Sequence, residues 1–393
     1  MANGANGHAM CLGRTCHPVP GTVPPVAGRV AIDVGPLVGH RTGVGAAVSQ
    51  LMTAFEQLAE PPELRPYVLS YRAELPAGTT RLRYPAALAH RLWSRVDHPD
   101  ATRALGRPAL VHGTNYVVPP ARCPRLVSVY DCWFLRHPDD VHPDVARAAA
   151  VLRRSVARGA VVHVSSQSSA AEVHDLLSPA RVEVVHLGAI PADPPPTTPP
   201  AAVAERIGGR PFVLTLGTVE RRKNLHRLVD AFGRLHALRP ELLLVIAGRD
   251  GNGTVDVDTE ILRLHASTAA DVIRLGQVDD GTKSWLLHHA AVLAYPSLDE
   301  GFGFPLIEAM SAGVPVVAST AGSIPEVAGD GAVLVDPLDI DDLAAAIERV
   351  LSDDRLRHEL ISAGQMRVAE FSWRATAERM AALYASLAME GTG

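Results

Sequence analysis

The stretch Glu300-Gly301-Phe302-Gly303-Phe304-Pro305-Leu306-Ile307-Glu308 joins an apolar run at 291–295 to a segment of helical character that ends before Gly313. The apolar run predicts a buried parallel strand. The two glycines of the stretch allow the backbone to approach a ligand closely, and its proline suits the first helical position. A helix start placed in this way presents free N–H groups and a partial positive charge, so the stretch predicts a phosphate site framed by two carboxylates.

The two carboxylates, Glu300 and Glu308, have seven residues between them. This arrangement resembles the signature of the family 4 retaining glycosyltransferases, which use nucleotide sugars. The resemblance implies an α/β fold of the GT-B type, in which two Rossmann-like, doubly wound parallel-sheet lobes face a central cleft. Taken alone, the pair also fits a glycine-rich turn followed by one glutamate on a helix surface, so the rest of the chain has to distinguish the two interpretations.

The composition is that of a soluble globular protein. Of its 393 residues, 47% are hydrophobic and 20% are charged, which suits two or three domains. Residues 1–27 lack the features of an export signal, and no run reaches the ~18 apolar residues of a membrane span. Cys11 and Cys16 lie near His8 and His17, but their spacing fits no familiar zinc finger. We therefore expect free thiols in a reducing cytoplasm and no metal site.

Positive and negative charges are distributed unevenly along the chain. Residues 1–200 hold 19 Arg and 15 Asp or Glu, a net +4, whereas residues 201–393 hold 18 basic and 27 acidic residues, a net −9. The basic half predicts an anionic partner, but the clustered basic and aromatic motifs of nucleic-acid binders are missing. Lysine occurs only at Lys223 and Lys283, which makes Lys223, within a basic loop, more noticeable.

The first half of the chain begins with a nucleotide-fold unit. A short apolar strand at 29–34 leads into a glycine-rich loop at 39–45 and a predicted helix at 46–58. Gly43 and Gly45 resemble the glycine loop of the same glycosyltransferases, which faces the donor phosphates and the acceptor. The alternative is a tight turn of any doubly wound fold.

A further strand is predicted at 67–71, and the segment 82–96 carries apolar residues interleaved with Arg83, Arg91 and Arg95. The end of this segment fits either an amphipathic helix that docks on an anionic membrane surface or a core-facing helix with a solvated arginine face. We favour the core-facing helix, because arginine stems commonly cover apolar surface.

Two more parallel-type strands are predicted at 109–113 and 125–131, and the second ends in Tyr130 and Asp131. Open α/β sheets bind ligands at the carboxyl ends of their strands. The family 4 glycosyltransferases, which this sequence resembles, usually carry a His-Asp pair at this point. The resemblance implies a catalytic role for Asp131 and an acceptor-side role for Tyr130. Tyrosine forms hydrogen bonds but does not titrate near neutrality, so Tyr130 departs from the family pattern.

A basic loop at 218–224 lies between a strand at 212–217 and a predicted helix at 225–237. Cations at the carboxyl end of a parallel strand are placed to neutralise a diphosphate, whereas the alternative is a solvated charge run. The loop resembles the Arg-Lys-Asn form of the family's diphosphate clamp, which implies that Arg222 and Lys223 bind the donor.

Two patterns predict helix caps. Ser168 or Ser169, at the end of a strand predicted at 161–169, is placed to cap the next helix. The run Ser323-Ile324-Pro325-Glu326 has the form of a capping box, which assigns Glu326 a structural role.

The leader and a proline-rich linker delimit the domains. The leader is predicted to be disordered, and 191–200, with six prolines, is predicted to be stiff and extended. The predicted parts are a leader at 1–27, an N-terminal acceptor lobe at 28–190, a linker at 191–204, a nucleotide-sugar-binding lobe at 205–370 and a final helix at 371–389. The return of that helix to the first lobe is implied by the GT-B resemblance.

The resemblance implies a retaining hexosyltransferase that needs no metal and no other cofactor. GDP-mannose is the favoured donor, because the Arg-Lys-Asn form is often met in mannosyltransferase-like members, and UDP- and dTDP-sugars are the alternatives. The acceptor is a hydroxyl of an unidentified glycan, glycolipid or small molecule. Glu300 and Asp131 are the implied catalytic residues. The implied donor-binding residues are Gly43, Gly45, Gly217, Arg222, Lys223, Val278, Phe302, Gly303, Phe304, Pro305, Leu306 and Glu308.

Two other functions stay open on the sequence. A catalytically silent sugar-nucleotide-binding subunit is supported by the departure at Tyr130, and a sugar-nucleotide epimerase shares the GT-B fold. A phosphorylase is disfavoured, because no cofactor-lysine setting is present. We expect a cytoplasmic protein, either free or peripheral on the inner face of the membrane, and the sequence does not predict an oligomeric state.

Overall fold

The computed structural model describes residues 26, 28–39, 43–75, 77–141, 143–198 and 200–391. Its described part contains two parallel β-sheets with helices packed against them, which confirms the predicted α/β class with two doubly wound lobes. Apart from Val26, the predicted leader lies outside the described residues, and so do Cys11 and Cys16. Cys123 and Cys132 are free thiols.

The first lobe is built on a parallel sheet. Its seven strands in the described part of the chain are β1 (Val30–Asp33), β2 (Leu64–Leu69), β3 (Thr80–Leu82), β4 (Leu110–Gly113), β5 (Arg125–Val129), β6 (Val161–Val164) and β7 (Val182–Val184). Their order in space is β3-β2-β1-β4-β5-β6-β7. The helices of this part are α1 (Gly43–Glu56), α2 (Ala86–Trp93), α3 (Trp133–Arg136), α4 (Pro143–Ala157) and α5 (Gln167–Leu177).

The second lobe repeats this topology. Its six strands among the described residues are β8 (Phe212–Leu216), β9 (Leu243–Ala247), β10 (Val272–Gly276), β11 (Val292–Tyr295), β12 (Val316–Ser319) and β13 (Ala332–Val335). Their order is β10-β9-β8-β11-β12-β13, so the strand order reverses between β8 and β11. The remaining helices are α6 (Ala201–Ile207), α7 (Leu225–Leu238), α8 (Thr254–Arg263), α9 (Ala266–Ala270), α10 (Asp280–His289), α11 (Phe304–Ser311), α12 (Ile324–Ala328), α13 (Ile340–Ser352), α14 (Asp354–Ala369) and α15 (Trp373–Glu390).

The central strands of the second lobe are buried along their whole length and are almost entirely apolar. Every residue of β8, β9 and β11 is buried. A parallel sheet covered by helices on both faces buries both sides of its strands, so their side chains do not alternate between apolar and polar. The carboxyl ends of β8 and β11 meet where the strand order reverses, and such a point forms a crevice for ligands.

The last helix of the chain belongs to the core of the first lobe. Met380 and Tyr384 of α15 are fully buried and pack with Val30, Ile32 and Phe55. The Tyr384 hydroxyl lies 2.7 Å from Nδ1 of His112. The chain thus crosses between the two sheets twice, once after β7 and once before α15.

Several predicted boundaries shift. β2 begins at Leu64, earlier than predicted, because it pairs with β1 from Val30 onward. α1 starts at Gly43 rather than Ala46, and the helix predicted within 82–96 is limited to α2. The described residues of 191–200 form neither helix nor strand. Within the described part of the chain, no helix has the length and apolar character needed to cross a membrane.

Both predicted serine caps are wrong. Ser166, not Ser168 or Ser169, caps α5, because its side chain accepts the hydrogen bond of the Ser169 N–H. Ser323 makes no capping hydrogen bond to α12. Glu326 does not complete a capping box, since its carboxylate binds the first lobe instead.

Candidate active site

The signature stretch forms the loop between β11 and α11. Gly303 has a φ of +85°, a left-handed conformation that favours glycine, and α11 begins at the next residue with Pro305 in its first turn. Gly313, with a φ of +73°, follows the helix end as predicted. The free N–H groups at the start of α11 therefore lie at the carboxyl end of β11.

Glu300 is held by two cations from the loop after β8. Its Oε1 lies 2.5 Å from Nζ of Lys223, and its Oε2 lies 2.8 Å from Nη1 of Arg222. Arg222 also donates to the main-chain oxygen of Asp299 at 2.8 Å. Glu300 and Lys223 are only 7% and 9% exposed. The structure therefore brings together the basic loop and the first glutamate, which the sequence placed on separate strands.

The charges of this group are mutually stabilised. Burial alone would raise the pKa of Glu300, but attraction to Arg222 and Lys223 outweighs it and lowers that pKa to about 2. Burial lowers the pKa of Lys223, although Glu300 opposes the effect. For Arg222, burial is outweighed by the combined attraction of Glu300, Asp131 and Glu220, so its pKa rises. Glu300 is consequently an anion at any physiological pH.

Tyr295 positions Lys223, and Gly217 lies beside the lysine side chain. Gly217, at the end of β8, has a φ of +129°, and a Cβ added there would lie 3.5 Å from Cε of Lys223. The ammonium group donates to the Tyr295 hydroxyl at 2.9 Å and lies 4.8 Å from the centre of that ring. Arg221, the first cation of the loop, binds Asp140 and Asp256 instead and takes no part in this group.

Glu308 pairs with the second lysine of the chain. Its Oε1 accepts a hydrogen bond from Nζ of Lys283 at 2.5 Å, which joins α11 to α10. Our sequence interpretation did not include Lys283 in the site. A signal for it was present, because the chain has only two lysines and Lys283 is the fourth residue of the helix that follows β10.

Not every residue of the signature faces the cleft. The side chains of Phe302 and Leu306 are buried in the core of the second lobe, and Phe302 packs edge-on against Phe304 and Phe371. Val278 is partly buried against the same core. At these three residues only the main-chain atoms are available for the predicted donor contacts, because the side chains pack in or against the core.

The glycine loop of the first lobe approaches this site. A Cβ added at Gly43 would lie 3.8 Å from the ring of Phe304 in the second lobe. Gly45 is buried within the first turn of α1. His40, Arg41 and Thr42, the middle of the predicted loop, lie outside the described residues.

Tyr130 and Asp131 contact the signature loop from the first lobe. A Cβ at Gly301 would lie 1.5 Å from the main-chain oxygen of Tyr130, so only glycine allows the two lobes to meet here. The sequence interpretation gave Gly301 the role of letting a ligand approach the backbone. In the structure, the main chain of the first lobe approaches Gly301. Asp131 accepts a hydrogen bond from the Tyr116 hydroxyl at 3.3 Å. Burial raises the pKa of Tyr130, so this residue stays neutral.

Asp299 is a second residue that the sequence interpretation missed. It is 7% exposed, and in the described part of the chain its Oδ2 has no hydrogen-bond partner. Burial, with repulsion from Glu172 and Asp131 of the first lobe, raises the pKa of Asp299 to about 7. A carboxyl group that exchanges its proton near neutrality thus lies beside Glu300.

The site as a whole combines cations, carboxylates and a helix start at facing strand ends. Such a set can neutralise a bound diphosphate and accept hydrogen bonds from sugar hydroxyls. No group of three or more His, Cys, Asp or Glu residues suited to a metal ion occurs among the described residues.

Known proteins with similar sequences are glycosyltransferases. The model of the family Glycosyl transferases group 1 matches residues 202–367. The O-antigen chain mannosyltransferase B of Escherichia coli is 31% identical over 302 residues, which cover 75% of each chain. The phosphatidyl-myo-inositol mannosyltransferase of Mycolicibacterium smegmatis is 36% identical over 184 residues, which cover 46% of each chain.

Solved structures show the same fold. A sucrose-phosphate synthase from Thermosynechococcus elongatus superposes with a TM-score of 0.69 at 22% identity and covers 91% of this chain and 98% of its own. HepE from Anabaena, solved with UDP and glucose, gives a TM-score of 0.66 at 17% identity over 92% of this chain and all of its own. These neighbours confirm the predicted GT-B architecture.

Proposed function

The chain belongs to the group 1 glycosyltransferases, and we propose that it is a retaining mannosyltransferase that transfers mannose from GDP-mannose to a hydroxyl group. The observation that carries the proposal is the buried group in which Glu300 bridges Arg222 and Lys223, at 2.8 and 2.5 Å. It lies at the strand reversal of the second sheet and opposite Tyr130 of the first. Mannose is supported by the mannosyltransferases among the relatives.

On the donor side, the diphosphate binds Arg222, Lys223 and the N–H groups at the start of α11. Both cations are already fixed, Lys223 by Tyr295 and Arg222 by the main chain of Asp299. Glu300 accepts hydrogen bonds from the hydroxyls of the donor sugar once the phosphates compete for its cations. Glu308, oriented by Lys283, holds the ribose, and the main chain at Val278 receives the base.

On the acceptor side, Asp131 and Tyr130 bind the incoming hydroxyl. Asp131 is oriented by the Tyr116 hydroxyl and by the N–H of Trp133 at 3.2 Å. A neutral Tyr130 donates or accepts a hydrogen bond but takes no proton. The N-terminal part of the chain, 28–190, is then the acceptor lobe, and 205–370 is the donor lobe, joined by the linker at 191–204.

Transfer proceeds with retention at the anomeric carbon. The acceptor oxygen attacks on the face from which the nucleoside diphosphate departs, so a bond from this oxygen to the anomeric carbon forms as the bond to the phosphate oxygen breaks. The proton of the acceptor passes to that phosphate oxygen. Negative charge developing on the leaving group is met by Arg222, Lys223 and the start of α11, which form a preorganised electrostatic site. Because protein cations supply this charge, we propose that transfer needs no metal, and a chelator should leave the rate unchanged.

The acceptor is proposed to be a glycan or a lipid-linked hydroxyl, reached by a protein in the cytoplasm. α2 buries Ala89 and Trp93, as the core-facing interpretation requires, but Leu88, Leu92 and Val96 are 52%, 39% and 46% exposed. Exposed arginines accompany this apolar strip, namely Arg91, Arg95, Arg103 and Arg107. Such a surface suits peripheral contact with an anionic membrane. Flotation with anionic but not neutral liposomes at low salt would support the contact, and flotation with neither contradicts it.

A panel of nucleotide sugars tests the donor. Thermal shift and release of nucleoside diphosphate should single out GDP-mannose, with UDP- and dTDP-sugars weaker. A preference for UDP-glucose, in line with the ligands of HepE, would replace mannose by glucose in the proposal. Tight donor binding without turnover in the presence of diverse acceptors would favour a catalytically silent binding subunit, and conversion of the sugar without acceptor would favour an epimerase.

A further inference from the structure

Glu326 of the second lobe binds the start of a helix in the first lobe. Its carboxylate accepts hydrogen bonds from the main-chain N–H of Gln167 at 2.8 and 3.0 Å and from that of Ser168 at 3.3 Å. Its Oε1 also lies 2.7 Å from Nε2 of His186, which follows β7. The same carboxylate therefore joins α12 of the second lobe to α5 and to the first chain crossing.

The start of α5 is in turn attached to both sides of the candidate active site. Ser165 Oγ, just before α5, donates to the main-chain oxygen of Gly301 at 2.9 Å. Ser169 Oγ, in its first turn, donates to the main-chain oxygen of Tyr130 at 3.2 Å. These two oxygens belong to the loops that meet where a Cβ at Gly301 would overlap Tyr130.

The electrostatics favour this contact. The first N–H groups of a helix lack partners within the helix, and the helix dipole attracts a negative charge at that end. Glu326 supplies that charge from the opposite lobe. The backbone of Glu326 is itself fixed, because Arg367 of α14 donates to the main-chain oxygens of Glu326 and Val327. The carboxylate is thus held on one lobe while it binds the other.

We propose that Glu326 is a positioning residue, which binds the start of α5 and thereby holds Tyr130 of the first lobe against Gly301 of the second. Through these neighbours it fixes the distance between the acceptor side and Glu300, so the inference rests on the proposed transfer reaction. Glu326 touches neither donor nor acceptor in this arrangement.

Replacing Glu326 tests the proposal, because kcat should fall while the KM for the nucleotide sugar should change little. We expect Glu326→Ala to lower kcat about 10–100-fold, because misplacement of reacting groups by about 1 Å costs up to this much. The KM for the nucleotide sugar should change less than about threefold, since the donor site lies within the second lobe. Glu326→Gln keeps one acceptor oxygen and should recover part of the rate.

A matched control is Glu348→Ala. The carboxylate of Glu348, in α13, accepts two hydrogen bonds from Arg239, at 2.7 and 2.9 Å. Its side chain is 29% exposed and that of Glu326 is 23% exposed, but Arg239 follows α7 and so belongs to the same lobe as Glu348. This variant loses two charge-assisted hydrogen bonds of similar length and should keep kcat. An equal loss of kcat in both variants, or a kcat within threefold of the parent for Glu326→Ala, would overturn the proposal.

Hydrogen exchange measures the positioning without any sugar. Amides of the segments around Tyr130 and Gly301 should exchange faster in Glu326→Ala, and at the parent rate in Glu348→Ala. Unchanged exchange at both segments contradicts the proposal even if the helix start itself exchanges faster. A parent protein that turns over no nucleotide sugar would contradict the proposed function, while the exchange experiment would still decide the role of Glu326.

Discussion

Glu300 and Glu308 each form a 2.5 Å ion pair with a lysine, but the two pairs lie in different surroundings. The side chain of Lys223 is 11% exposed and that of Lys283 is 37% exposed, whereas the two glutamates are equally buried. Glu300 has a second cation in Arg222 and adjoins the first lobe at Gly301. The two glutamates, eight positions apart in the sequence, thus differ in the number of charges around them. This difference fits our proposal that the first pair takes part in the chemistry and the second positions the ligand.

The largest expected difference is in the transfer rate. Glu300→Gln should lower kcat about 100–1000-fold, the usual effect of removing one preorganised electrostatic contact. Glu308→Gln should lower kcat less than about tenfold, with a raised KM for the donor. Nucleoside diphosphate should bind Glu300→Gln at least as tightly as the parent, because Glu300 competes with phosphate for its cations. The rate of nucleoside diphosphate release gives kcat, and calorimetry gives the affinity for nucleoside diphosphate. Equal losses of kcat in the two variants would contradict the different roles of Glu300 and Glu308.

The second largest expected difference between the two ion pairs is in the free energy of unfolding. Glu300→Gln leaves two buried cations without their partner, which typically costs about 3 kcal/mol. Because the pKa of Glu300 is lowered to about 2, its stabilising contribution is complete above its ordinary value of 4.5 and is lost as the pH falls toward 2. Denaturant unfolding should therefore show a gap between parent and variant at pH 7 that narrows below pH 4.5. A gap of constant size would contradict the ion-pair origin.

Diphosphate affinity gives a smaller contrast between the lysines. Lys223→Met should weaken nucleoside diphosphate binding about tenfold, which corresponds to ~1.4 kcal/mol for a lost charge contact. Lys283→Met, the matched control, should weaken it less than about threefold, because in the proposed site Lys283 contacts only the glutamate that holds the ribose. Equal affinities by calorimetry for parent and Lys223→Met would disprove the clamp.

The smallest expected effect concerns Asp299, which adjoins the first pair only. The charged groups that face it are Glu172, Asp131, Arg222 and Glu300. Its pKa is raised from 3.8 to about 7, so the folded protein loses stability as the pH rises through this window. Asp299→Asn should therefore raise the Tm by about 2–4 °C at pH 8 and leave it unchanged near pH 4. The same gain at both pH values would show that ionisation is not the cause.

The sequence predicted the regular elements of the second lobe closely. β8 and α7 have the predicted bounds to within one residue at each end, and β11 begins one residue after the predicted 291 and ends at 295 as expected. These predictions succeeded because apolar periodicity acts between residues that are near in sequence.

Contacts between distant segments could not be predicted in this way. Glu326 follows a serine at capping spacing, yet its partners lie 140 and 159 positions away, and the local pattern gave no sign of them. Lys283 meets Glu308 only because α10 and α11 pack side by side. Gly301 was predicted to let a ligand approach the backbone, and the group that the structure places against it is the main chain of Tyr130.

The return of α15 to the first sheet has a consequence for synthesis of the chain. Tyr384 and Met380 complete a core whose other members, Val30 and Ile32, are made more than three hundred residues earlier. During synthesis, all strands of the second lobe have been made before α15, which completes the core of the first lobe. We therefore expect the second lobe to fold before the first, the reverse of the order of translation. Protease digestion of a chain ending at residue 371 should then spare the second lobe and cleave the first, and the opposite pattern would disprove this order.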